Sequence, residues 1–209
     1  MDTPLLLGML SFAFVTSVTP GPNNLMLLAS GANFGFRRTI PHMLGITCGM
    51  ILLLLLALAG LGSLFLQFPL TQAILKAAGI GYLLWLAWKI ATAPVQTPLP
   101  DGQHRDTPPT AGQPMRWWQA TLFQFVNPKA WMMAVGAVSS FTLAGDQYLP
   151  SGLALMLIFL LVALPAISLW AGFGAGIQHL LSRPAHKRIF NLCMAVLTAA
   201  TVFMILGIH

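Results

Sequence analysis

The sequence predicts an all-α integral membrane protein: six transmembrane helices in two inverted three-helix repeats, with the first helix of each repeat broken. Three observations carry this. The chain of 209 residues is 57% hydrophobic and only 7% charged, where a soluble domain carries about 25% charged residues. Its apolar residues fall into six segments, at residues 5–31, 38–66, 71–92, 116–142, 150–178 and 187–207, each near the ~20 residues that a helix needs to cross a bilayer. Two of these segments, the first and the fourth, are interrupted by proline, at Thr19-Pro20-Gly21-Pro22-Asn23-Asn24 and at Asn127-Pro128-Lys129.

Charge orients the segments. Arg37 and Arg38 follow the first, Lys89, Arg105 and Arg116 flank the connection after the third, and Arg183, Lys187 and Arg188 lie between the fifth and sixth. The opposite side carries Lys76 with acidic Asp2 and Asp146. The positive-inside rule therefore puts the three basic loops in the cytoplasm and both termini outside. Trp88, Trp117 and Trp118 beside Lys89 and Arg116 fit an aromatic belt at that interface. The N-terminal segment lacks a basic leader region and runs on past the length of a signal core, so it reads as a span.

Three spans per half is an odd number, so the second half runs inverted relative to the first. The division is residues 1–93, a Pro-rich cytoplasmic linker at 94–115, and residues 116–209. Gly45 and Gly49 in the second span have a rough counterpart in Gly172 and Gly176 of the fifth. Paired breaks in corresponding positions of two inverted halves point to the ligand site of a secondary transporter. The net charge of +6 is too scattered for a nucleic-acid surface.

The first break offers the richer chemistry. Proline lacks an amide hydrogen and crowds the carbonyl one turn earlier, so Pro20 and Pro22 must end one helix. A second helix is expected to start near Pro22, since proline suits the first helical position. Asn23 and Asn24 then lie at a helix start, where free amides and the positive dipole end favour a carboxylate. At the second break, Lys129 sits mid-span, where a charge costs at least ~2.5 kcal/mol. It could meet a ligand carboxylate, bond the carbonyls freed by the breaks, or snorkel to the interface. Gln124, one turn before Asn127, could extend the polar lining or bond a neighbouring helix. His42 is the one histidine expected near the membrane interior, and could titrate near neutral pH and carry a proton, or simply pack. Gly45, Gly49, Gly172, Gly174 and Gly176 suit close helix contact. Cys48 and Cys193 read as apolar fillers, and no cofactor is expected.

These residues resemble the LysE/RhtB family of amino-acid exporters. The resemblance rests on Thr19-Pro-Gly-Pro-Asn-Asn24, the turn at Gly35-Phe36-Arg37-Arg38 with Gly45, Gly81-Tyr-Leu-Leu-Trp-Leu-Ala-Trp-Lys89, and Phe125-Val126-Asn127-Pro128-Lys129. Asn23-Asn24 and the Leu86–Thr92 stretch look closest to the branch exporting cysteine and O-acetylserine. What the resemblance implies is export of small amino acids from the bacterial cytoplasm across the inner membrane, driven by protons. The substrate site would comprise Pro20, Gly21, Pro22, Asn23 and Asn24 with Asn127, Pro128 and Lys129. With no intramembrane acid to meet a dibasic substrate, a neutral zwitterion is the better fit. The glycine-rich second and fifth spans could serve a rocking motion or a homodimer contact. A transition-metal exporter would want membrane carboxylates or a His-rich loop, and a thiol–disulfide electron carrier would want cysteines beside the breaks. An intramembrane enzyme would want a catalytic motif such as His-Glu-x-x-His or Gly-x-Ser-x-Gly. None of these patterns is present in the sequence.

Overall fold

The computed structural model describes residues 1–61, 69–93, 113–181 and 183–206. The expected linker at 94–115 and the end of the second expected span thus fall largely outside the described residues. Among those residues all regular structure is helical. The order is α1 (Thr3–Val18), α2 (Pro22–Phe34), α3 (Phe36–Leu58), α4 (Pro69–Ala91), α5 (Trp117–Val126), α6 (Pro128–Phe141), α7 (Tyr148–Gly176) and α8 (Pro184–Leu206), with short 3-10 turns before and after α7.

Both proline motifs break the chain where the sequence places them. Helix α1 opens on Asp2, whose side chain accepts from Leu5 N at 3.2 Å, and it closes before Pro20. Helix α2 starts on Pro22 itself, and the two axes bend by 57°. Helix α5 ends at Val126 and α6 starts on Pro128, with Asn127 closing one helix and capping the next. Between α2 and α3 stands a single residue, Gly35, at φ 81°. That left-handed conformation is cheap only for glycine, so the chain turns there within one residue.

Among the described residues three helices are long and apolar enough to cross a bilayer: Phe36–Leu58, Ala73–Ala91 within α4, and the segment Gly145–Gly176 that contains α7. The bent pair α1–α2 passes the same criterion as one broken span. Large apolar side chains are exposed on the helices, among them Leu149, Leu153, Leu157 and Leu161 on α7 and Phe203 on α8. Trp88, Trp117 and Trp118 are likewise exposed.

Inside, α2 lies along α7, α3 along α5, and α4 along α8. One apolar cluster, with Met9, Leu53, Leu54, Leu155 and Phe159, joins α1, α3, α6 and α7. A second joins Leu27, Met43, Ile46, Ala120, Ile167 and Ala171, and a third Met26, Leu83, Phe123 and Val202. Small residues set the spacing, as expected where lipid offers no hydrophobic drive for helices to associate. A Cβ on Gly45 would strike Trp117 O, and one on Gly49 would strike the Gln124 side chain. On the α2–α7 seam, a Cβ on Gly31 would meet Ala171 O and one on Gly174 would meet Leu28 O. The expected counterpart glycines need correcting here: Gly172 and Gly176 face open space, and Gly174 makes the close approach. The reason is helical phase, since α7 buries Ala163, Ile167, Ala171 and Gly174 on one stripe and residues 172 and 176 point away from it.

Candidate functional site

The two breaks face each other across one cavity. Its polar lining is Thr16, Ser17, Asn23 and Asn24 from the first broken pair, Thr47 from α3, and Gln124, Asn127 and Lys129 from the second pair. Gly21 belongs to the same wall, and Ile46, Met50, Ala130, Met133, Ala163 and Ile167 complete it. The empty volume is about 480 Å³ with the open space at its mouth included.

Each break frees backbone carbonyls, which in a membrane must find partners. At the first break Asn24, almost fully buried, donates its amide to both Ser17 O and Thr19 O at 2.8 Å. Trp170 on α7 donates Nε1–H to Val18 O at 3.0 Å. Lys129 crosses from the other break and donates Nζ–H to Thr19 O at 2.7 Å and to Pro20 O at 3.3 Å. At the second break Trp131 Nε1–H serves Phe125 O at 2.9 Å, and Asn127 Oδ1 accepts from Lys129 N at 3.2 Å, capping α6.

Asn23 and Gln124 close a second bridge between the breaks. Asn23 Nδ2 donates to Gln124 Oε1 at 2.9 Å, and Gln124 Nε2 donates back to Asn23 Oδ1 at 3.2 Å and to Ala120 O at 2.9 Å. The two helix starts differ in one respect. Helix α6 is capped by Asn127, whereas α2 has Gly21 at its N-cap and no side-chain cap. The positive dipole end of α2 therefore remains free for an anion, a few residues from the carbonyl cluster at Thr19 and Pro20. One break thus supplies an anion half and a cation half, which suits a zwitterion.

Most of the residues expected at the site are brought together: Gly21, Asn23, Asn24, Gln124, Asn127 and Lys129 line the cavity. Pro20 contributes its carbonyl, and Pro22 and Pro128 start the helices that aim the rest. Lys129 does not merely snorkel, because it bonds the freed carbonyls. His42 stands apart from the lining; it is 2% exposed in α3, with neither ring nitrogen bonded. Trp170, Trp131, Thr16, Ser17 and Thr47 were not singled out by sequence. For Trp170 no local signal exists, since its acceptor lies more than 150 residues away in the chain.

Residues 14–209 match the family described as LysE type translocator. A cysteine/O-acetylserine efflux protein of Shigella flexneri serotype 5b (strain 8401) is 31% identical over 196 residues, covering 93% of this chain and 94% of the relative. The protein of the same description from Escherichia coli (strain K12) is 31% identical over 197 residues, covering 94% and 95%. No solved structure matches. With a family match over nearly its whole length and relatives aligned end to end, the chain is an integral membrane protein and belongs to the LysE type translocator family.

Proposed function

We propose that this protein is a secondary active exporter of small neutral amino acids or their derivatives, of the cysteine/O-acetylserine or homoserine/threonine type, in the bacterial inner membrane. The observation that carries the reading is the meeting of two proline-broken helices across one cavity, with an open helix start beside a cluster of freed carbonyls. A substrate carboxylate meets the α2 N-terminus and Lys129; its ammonium meets Thr19 O and Pro20 O; Asn23 and Gln124 hold the polar remainder. Half-helix ends serve secondary transporters in this way. The description of the 31%-identical relatives as cysteine/O-acetylserine efflux proteins supports the substrate class.

In this reading the chain crosses the membrane six times, counting α1–α2 and α5–α6 as one broken span each. Residues 1–93 and 116–209 are the inverted repeats joined by the 94–115 linker. The basic loops after spans one, three and five are cytoplasmic and the termini external. Substrate loads from the cytoplasm, and one repeat rocks against the other. Export is proton-coupled, and His42 is the carrier candidate because it is buried with both ring nitrogens unbonded. The thiol-carrier alternative gains nothing, since Cys48 and Cys193 are both exposed and neither lines the cavity.

The test is uptake of a panel of labelled amino acids by everted membrane vesicles, with and without an uncoupler. Expected is energised uptake of a small neutral amino acid, reduced at least tenfold in Lys129→Ala and uncoupled from the proton gradient in His42→Gln at normal membrane levels. Energised uptake unchanged in Lys129→Ala would sink the site, and no uptake of any amino acid by the wild type would sink the function.

A further inference from the structure

Lys129 already occupies the cation half of the site. Its ammonium contacts Thr19 O at 2.7 Å and Pro20 O at 3.3 Å, on carbonyls that follow the end of α1, where the negative dipole end adds to their pull on a cation. The stem of the lysine runs over Gly21. A Cβ at that position would lie 2.9 Å from Lys129 Cδ and 3.1 Å from Nζ. The backbone of Gly21 is fully extended, at φ −179° and ψ 178°, a conformation any residue adopts. The glycine is therefore explained by the passage of the lysine and not by backbone geometry. Two residues of two separate motifs serve one contact.

We infer that Lys129 is a tethered stand-in for the substrate ammonium, and that it makes the carbonyl site selective for molecules carrying both an ammonium and a carboxylate. The inference rests on the reading of the cavity as an amino-acid site. An amino acid replaces Lys129 at Thr19 O and Pro20 O and in the same step offers the displaced lysine a carboxylate. A simple amine or an inorganic cation makes the first exchange but leaves Lys129 without an anion, because no Asp or Glu lines the cavity among the described residues. A half-buried ammonium left unpaired is costly. The tether adds to this: a group linked on the same chain competes at an effective concentration on the order of mM or above, so carboxylate-free cations at lower concentration are shut out.

The test is binding of matched pairs, serine with ethanolamine and cysteine with cysteamine, to purified full-length protein by calorimetry. Wild type, Lys129→Met, Lys129→Gln and Gly21→Ala are compared, each first shown to be monodisperse. The wild type is expected to bind an amino acid at least about tenfold more tightly than its amine, because only the carboxylate gives the displaced lysine a charge-assisted bond. Lys129→Met and Lys129→Gln are expected to gain at least about tenfold in amine affinity while losing the amino acid, and Gly21→Ala, which crowds the stem but keeps the charge, to fall between. Wild type binding an amine as tightly as its amino acid overturns the inference without needing any variant. Folded Lys129 variants with no gain for amines overturn it too, and leave the amino-acid site standing if the wild type still binds amino acids. Wild type binding neither member of either pair overturns the inference together with the reading beneath it.

Discussion

Asn24 ties off the end of α1, and removing its amide should cost a defined amount. Its Nδ2 serves two carbonyls at 2.8 Å, and they are not equivalent. Thr19 O keeps a second donor, Lys129 Nζ, whereas Ser17 belongs to a residue only 6% exposed. In Asn24→Ala the Thr19 bond forfeits about 0.5–1.5 kcal/mol and the orphaned Ser17 carbonyl about 1–3 kcal/mol, a total of about 1.5–4.5 kcal/mol. Asn24→Asp keeps the shape but removes both donors and, when ionised, turns acceptor oxygens on the carbonyls. It should cost more than the alanine. The assay is the unfolding free energy in mixed lipid–detergent micelles, with both variants beside the wild type. An alanine cost below about 0.5 kcal/mol, or an aspartate no worse than the alanine, would refute the view that side chains satisfy the break.

Trp170→Phe keeps an aromatic side chain but removes the donor to Val18 O; a loss of about 1–3 kcal/mol in the same unfolding assay is expected, and no loss would mean the carbonyl finds water. Gly174→Leu should block the α2–α7 contact by driving a side chain into Leu28 O, while Gly172→Leu should be nearly silent because its Cβ meets nothing; membrane-inserted yield of the two variants reads the difference, and equal yields would contradict the assigned seam. A double-mutant cycle on Asn23→Ala and Gln124→Ala should give a coupling of about 0.6–1.7 kcal/mol, the range of hydrogen bonds between membrane helices, and zero coupling would show that the reciprocal amide pair does not hold the breaks together.

The breaks themselves were legible because proline states its own consequence. Pro22 starts a helix in the structure as the sequence implied, and Pro128 does the same at the second break, where the sequence marked only an interruption. Asn24 and Lys129 were legible as polar groups that an apolar segment must account for. Their partners were not. Lys129 bonds a carbonyl 110 residues away, and Trp170 one 152 residues away, and neither distance leaves a local pattern. The seam of α7 shows a different kind of miss. Spacing by four picked out Gly172 and Gly176, but spacing alone does not say which face of a helix meets a neighbour. The alternation of Ala163, Ile167, Ala171 and Gly174 at steps of three and four carried that information and marks the buried stripe. His42 is expected near the membrane interior and is indeed buried in α3, but its place in the chain does not say which way it faces, and the structure sets it outside the cavity lining.

The most direct test of the central claim is substrate protection of a cavity thiol. Cys48 and Cys193 are exposed and would be replaced by serine, and Thr47, which lines the cavity opposite the breaks, changed to cysteine. The rate of modification by a small methanethiosulfonate reagent is then measured with and without the amino acid the vesicles transport. If the cavity between the breaks is the amino-acid site, that amino acid slows labelling and its decarboxylated amine does not. Labelling unaffected by a saturating, transported amino acid would contradict it.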